Sequence, residues 1–208
     1  MANTDPVEVE GLLWNGWPGR IALDVGARMG ESIEDIVRCG FTNITCFEPS
    51  PQAFPILEPF AERLGVKPRQ LAISDHDGQV LLASVPGAMS KGELVSPIDG
   101  MEWSVDDWSK ADYVVVPCLT LNTWCGVEGF PDFVKVDTEG HELKVLQGAQ
   151  ELIWHGCGWL IEFHTPLNRE RCSGLLQTAG YEVETIRHPH YAPESPMWHQ
   201  HGWIRAEK

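Results

Sequence analysis

Short apolar runs alternate with stretches whose apolar residues recur at helical spacing. Arg20 to Gly26 reads as a buried strand ending in glycine. Glu31 to Arg38 then puts Ile33, Ile36 and Val37 on one helical face, and Gly40 ends it. Asn43 to Glu48 is a second strand, closed by Pro49. A helix carrying Phe54, Leu57, Phe60 and Leu64 follows, with Ser50 as its cap and Pro51 as its first residue. Pro55 and Pro59 are expected to break or shorten it. Gln70 to Ser74 is the third strand and runs into the turn Asp75-His76-Asp77-Gly78. This order is the pattern of right-handed crossovers between parallel strands.

The rhythm then changes. Gln79 to Ser84 is a short extra strand, whereas residues 86–112 show no sustained period. An irregular stretch of that length reads as a functional loop, and Met89, Met101, Trp103 and Trp108 give it an apolar load. Tyr113 to Val116 resumes a strand, and Leu119 to Cys125 makes about two helical turns. Phe133 to Asp137 is the next strand, followed by one helix from Glu142 to Trp154 that Gly156 and Gly158 stop. Trp159 to His164 is another buried strand, Arg169 to Ala179 a helix, and Tyr181 to Ile186 and His201 to Ala206 the last strands. The whole predicts one α/β domain over residues 1–208, with helices on both faces of an open sheet. Residues 1–19, with Trp14 and Trp17, would form an amino-terminal cap or lid, and 86–112 a cover over an acceptor site.

Composition narrows the partners. The formal charge of −15 repels phosphate backbones, which argues against nucleic acid. No apolar run reaches the roughly 20 residues of a membrane span, and Met1 to Glu10 lacks the features of a signal peptide. Six scattered cysteines without a Cys-x-x-Cys pair read as thiols of a reducing compartment, so a cytoplasmic location is expected.

In open α/β sheets ligands bind beyond the carboxyl ends of the strands. The first strand ends in Asp24-Val25-Gly26-Ala27-Arg28-Met29-Gly30, a glycine turn in which Arg28 replaces the second glycine of a dinucleotide fingerprint. Glu48 ends the second strand 22 residues after Gly26, near the offset at which a carboxylate takes ribose hydroxyls. Asp75 follows the third and is placed to accept from an adenine amine. Acids at three successive strand ends point to a nucleoside site. Lys135 and Asp137 share one strand face, and the lysine needs an anionic partner, for which Glu162 is the candidate.

These residues resemble the FkbM-type methyltransferases, within the class I S-adenosylmethionine-dependent enzymes. The matching stretches are Leu23 to Gly30, Phe47 to Pro51, Val134 to Glu142, Val145 to Ala149 and Leu160 to His164. The Lys-x-Asp-x-Glu-Gly-x-Glu run from Lys135 is the most specific of them. The resemblance implies a Rossmann-like, mostly parallel sheet with an antiparallel strand near the carboxyl terminus. It implies S-adenosylmethionine as cofactor, with Gly26, Ala27 and Gly30 lining its methionine part. Asp24 would then hold the ammonium group, Glu48 the ribose and Asp75 the adenine edge. O-methylation of a sugar or natural-product hydroxyl is the implied activity, the acceptor being a small molecule or glycan. Methylation of a peptide carboxylate and a non-catalytic nucleoside-binding module are the alternatives.

A hydroxyl acceptor benefits from a general base. His164 is the first candidate, with Glu162 or Asp137 orienting it, and His141 is the second. The pairs His188/His190 and His199/His201 lack the i, i+4 spacing of a zinc motif, so no metal ligands are assigned.

Overall fold

The computed structural model describes residues 13–84, 92–94, 112–188, 195 and 200–208. Most of the 86–112 segment, with its two methionines and two tryptophans, lies outside the described residues, as do residues 1–12, His190 and His199.

A seven-stranded sheet in the order β10-β11-β9-β8-β1-β2-β3 forms the centre. β1 (Ile21–Val25) lies in the middle, parallel to β2 (Asn43–Phe47) on one side and β8 (Phe133–Val136) on the other. β3 (Lys67–Arg69) and β9 (Gly158–Phe163) extend the sheet in parallel. β11 (Gly202–Glu207) runs antiparallel to both β9 and β10 (Glu182–Arg187). The chain passes from β1 to β2 on one side and returns to β8 on the other, so the crevice between β1 and β8 is the topological switch point.

Alternation along the strands feeds two cores. Leu23, Val25, Val134, Val136, Trp159 and Ile161 face one, and Ala22, Ile44, Phe133 and Leu160 face the other. On the first face lie α3 (Leu121–Glu128), α4 (Glu142–Gln147), α5 (Gln150–His155) and α6 (Pro166–Thr178). On the second lie α1 (Ile33–Arg38) and α2 (Phe54–Arg63). Trp17 belongs to that second core. Its ring lies 4.6 Å from Phe133, with the Arg205 guanidinium over it at 4.0 Å. Among the described residues no helix is long and apolar enough to cross a membrane, and all six cysteines are free.

Several elements differ from the expectation. The third parallel strand is Lys67–Arg69, not Gln70–Ser74. Pro68 stands in it because β3 is an edge strand, where a missing N–H costs no ladder bond. Ala72–Ile73 (β4) leaves for a second sheet, β4-β7-β5-β6, with β5 (Gly78–Ser84), β6 (Gly92–Leu94) and β7 (Asp112–Leu119). A strand thus interrupts the stretch read as wholly irregular, pairing antiparallel with β5. Pro59 sits inside α2 without breaking it. The carbonyl it leaves free is that of exposed Pro55, while fully buried Leu57 and Ala61 hold the helix down. The single helix expected over 142–154 is two, parted at Gly148, where an added Cβ would stand 2.1 Å from the Ser74 carbonyl oxygen.

Candidate active site

The glycine turn after β1 exists because the chain must pass beneath Asp137. Gly26 has φ +81°, and a Cβ there would lie 1.8 Å from the Asp137 carbonyl oxygen. The amides of Gly26 and Ala27 both donate to the Phe47 carbonyl at 3.0 Å, which ties the turn to β2. Arg28 follows with φ 51° and donates its amide to Glu48 Oε2 at 2.8 Å, while the Ser50 amide donates to Oε1 at 2.8 Å. Two backbone groups thus fix the Glu48 carboxylate, and each oxygen keeps a second lone pair. Burial pushes Glu48 up to about 7, against the lowering effect of those two amides.

In front of Glu48 lies a cleft, partly open to solvent, walled by Val25, Phe47, Leu71 and Ile73. A turn a Cβ would block, an oriented carboxylate and apolar walls fit a nucleoside. A second cavity opens on the other side of the turn and touches Trp14, Ala27, Lys135, His188 and Trp203. Gly26, Arg28 and Asp137 line both.

Three of the six expected cofactor residues line neither cavity. Gly30 packs under Phe60, whose ring an added Cβ would meet at 2.6 Å. Asp24 is wholly buried, accepts from Ser32 Oγ at 2.9 Å and pairs with Lys135 Nζ at 3.2 Å. Asp75 is bound at 2.6 Å by Lys144 and at 2.9 Å by His76. Although partial burial opposes it, the Lys144 ammonium holds Asp75 well below the usual carboxylate range.

Lys135 finds Asp24, not Glu162, and the register explains why. Asp24 on β1 is directly opposite Lys135 on β8, whereas the β9 residue opposite Lys135 is Leu160. The ammonium also reaches Asp137 Oδ2 at 3.5 Å. Burial works against its charge, and Asp24 and then Asp137 overcome it, so Lys135 stays protonated.

Beyond β8 the chain turns at Asp137-Thr138-Glu139-Gly140, with Glu139 at φ 54°. Buried Glu142 closes this turn, its Oε1 accepting from the amides of Thr138 at 3.0 Å and Gly140 at 2.9 Å. Arg28 and Glu139 are the described non-glycine residues with positive φ, and both border the cleft.

The two histidines named as bases have opposite surroundings. His164, at the end of β9, turns Nδ1 toward Glu142 Oε1 at 3.2 Å. Its Nε2 faces Glu139 at 3.6 Å, Asp137 at 3.7 Å and Glu162 at 3.9 Å. Burial opposes its charge, but Glu142 first and then Asp137 and Glu139 push it up to about 10. A histidine held protonated cannot take a proton at neutral pH. His141 is lowered to about 4 by burial and is hydrogen-bonded through Nε2 to Ser74 Oγ at 3.0 Å. It lines neither cavity. Asp137 does line both, and burial raises it above the usual carboxylate range, opposed by Lys135. Glu162 pairs with His188 at 3.3 Å, and the His201 ring lies 5.3 Å from that of His164. Nothing in the sequence marks His188 and His201 as neighbours of the site, because their spacing carries no motif.

Comparison with known proteins gives the family and the fold. The hexuronic acid methyltransferase AglP of Haloferax volcanii is 24% identical over 192 residues, spanning 88% of this chain and 68% of that protein. The O-methyltransferase of Bacillus cereus, solved with SAH, aligns at TM-score 0.51 and 12% identity, covering 100% of this chain and 82% of that one. The precorrin 8w decarboxylase of Methanobacterium thermoautotrophicum aligns at TM-score 0.52 and 12% identity, over 97% and 89% of the two chains. These two likenesses carry the fold. Residues 24–190 match the methyltransferase FkbM domain, and the chain therefore belongs to that family of S-adenosylmethionine-dependent methyltransferases.

Proposed function

We propose that the protein methylates a hydroxyl group of an acidic sugar or related glycan. The observation that carries this reading is the position of Asp137, the acid that lines both the cleft in front of Glu48 and the cavity beside it. Bound S-adenosylmethionine supplies a methyl group on sulfonium, already electrophilic. Glu48 would accept from the ribose hydroxyls through its two remaining lone pairs, with Leu71 and Ile73 against the base. Gly26 lets the backbone pass close to the donor. The Asp137 carboxylate, fixed from behind by Lys135, would accept a hydrogen bond from the acceptor hydroxyl, aim the hydroxyl oxygen's lone pair at the donor, and take up the hydroxyl proton as the O–CH3 bond forms and the S–CH3 bond breaks. The His164 imidazolium, 3.7 Å away, helps to hold that carboxylate in place, and His141 has no part in the reaction. The acidic sugar follows from the AglP likeness.

The test is methyl transfer from radiolabelled donor to uronic-acid glycans, neutral sugars and peptides, followed by mild alkali. Label retained on a uronic-acid glycan is a methyl ether, as proposed. Label released as methanol is an ester and supports the carboxylate alternative.

The Glu48 assignment makes a separate prediction. Glu48→Gln should weaken cofactor binding about 100-fold, because the new amide group would confront the Arg28 or Ser50 N–H. In the native protein, affinity should fall as pH drops below about 7, where Glu48 takes up a proton and loses an acceptor position. Calorimetry at pH 8 and pH 6 checks the slope, which Glu48→Gln should flatten.

A further inference from the structure

The amino-acid tail of the donor lacks the holder that the sequence resemblance gives it. Asp24 is 0% exposed and is taken up by Ser32 and Lys135, so it does not reach an ammonium group. The cleft in front of Glu48 nevertheless continues into the second cavity, since Gly26, Arg28 and Asp137 line both. A donor with its nucleoside in the cleft, the reading on which the proposal below rests, finds that second cavity open to its tail. Its sulfonium, which joins nucleoside and tail, then falls at the junction where Asp137 stands.

Side chains of both signs line the second cavity. Glu31, Asp35 and Asp137 are its acids, and Arg28, Lys135 and His188 its basic groups. Lys135, 3% exposed, is committed to Asp24 at 3.2 Å and Asp137 at 3.5 Å, and His188 to Glu162 at 3.3 Å. Arg28 differs. Its side chain is 41% exposed, and Nη1 meets Glu31, itself 52% exposed, at 2.8 Å. Ion pairs exposed to that degree hold weakly and yield to a better partner. Nη2 has no partner among the described residues, and neither has Nε, which is buried. The edge of the guanidinium that takes a carboxylate through two parallel bonds is thus unused. Arg28 also stands at φ 51°, a conformation costly to a residue with a side chain, which is the kind of strain that binding sites store.

We propose that Arg28 binds the α-carboxylate of S-adenosylmethionine, whose amino-acid tail occupies the second cavity. The tail is a zwitterion, and it matches a wall of mixed sign. Its carboxylate meets the arginine, while its ammonium lies among Glu31, Asp35 and Asp137. A ligand bringing a carboxylate alone, such as a uronate ring, would satisfy Arg28 and leave three acids facing an anion. Nη2 gives the first bond, and Nε the second once the weak tie to Glu31 lets the half-exposed fork turn. The Arg28 amide holds Glu48 Oε2 at 2.8 Å, so one residue links the ribose end of the donor site to its carboxylate end.

The test is calorimetry without acceptor, using S-adenosylhomocysteine, its decarboxylated analogue and methylthioadenosine, which lacks the whole tail. The native protein should bind S-adenosylhomocysteine about 30-fold more tightly than the decarboxylated analogue, the strength of hydrogen bonds to a charged group. Arg28→Met should shrink that ratio to within about threefold, by weakening S-adenosylhomocysteine and leaving the other two probes nearly unchanged, which also shows that the variant is folded. Arg38→Met, which removes an exposed arginine outside both cavities, should leave the ratio as it is. A ratio near one in the native protein, or a ratio intact in Arg28→Met, overturns the proposal, and so does an equal loss for all three probes. Methylthioadenosine reads the cleft by itself. If the native protein fails to bind it, the Glu48 reading falls and the proposal with it; if it binds and the ratio is absent, the Arg28 assignment falls alone.

Discussion

Gly26→Ala is expected to abolish saturable binding of S-adenosylmethionine and to destabilise the fold by about 2–5 kcal/mol. Two costs combine. A left-handed conformation costs an ordinary residue about 1–2 kcal/mol, and Gly26 has φ +81°. The new methyl group would also stand 1.8 Å from the Asp137 carbonyl oxygen and 2.8 Å from its carbon. Neither chain can step aside cheaply. The Asp137 amide is bonded to the Val25 carbonyl at 2.9 Å, and the Gly26 amide to Phe47 at 3.0 Å. Gly40→Ala isolates the steric part by difference, because Gly40 has φ +96° and a Cβ added there would meet nothing within 4 Å. Urea unfolding of both variants, with calorimetry of donor binding, gives the comparison. Native-like affinity in Gly26→Ala would mean that the turn does not cradle the donor.

Lys135→Met should lower stability by about 3–5 kcal/mol, the cost of leaving buried charge without its partner. Lys135 is 3% exposed and Asp24 is 0% exposed, so water cannot replace the lost ammonium. Asp24 would keep only the Ser32 hydroxyl at 2.9 Å. Methionine retains most of the volume, which separates the electrostatic loss from a cavity. Adding Asp24→Asn should recover part of the loss, since it removes the orphaned charge. Urea unfolding of the two single variants and the double variant completes the cycle. Additive losses would show that the two residues do not act as a pair.

What is legible in the chain is local. Gly26 reads as a tight turn, and Glu48 as a strand-end acid, because each follows its own strand by one residue. The Lys135 to Glu142 run is recognisable as a unit, and in the fold Glu142 folds back onto the amides of Thr138 and Gly140 within that run. Ser50 reads as the cap of the second helix, but α2 starts at Phe54 with Ala53 at its N-cap, and the Ser50 hydroxyl instead accepts from the Ala53 amide at 3.2 Å in the turn before it. Asp75 looks equivalent to Glu48 in sequence. Yet the strand before it leaves the main sheet, and Lys144, 69 residues away, takes its carboxylate.

The charge balance at the site is not legible, because it depends on which strands become neighbours. His164 looks like a base as an isolated residue, and becomes a protonated centre only when β8 and the turn after it bring Asp137, Glu139 and Glu142 around it. Hydrophobic periodicity, glycine turns and strand-end acids are properties of a few consecutive residues, so the amino-acid order by itself determined the α/β class, the glycine turn after β1 and the Glu48 position. The partner of Lys135, the state of His164 and the junction of two cavities at Asp137 were decided only by tertiary structure. Electrostatic energy falls with distance through space, and only the folded sheet sets that distance between residues far apart in the chain.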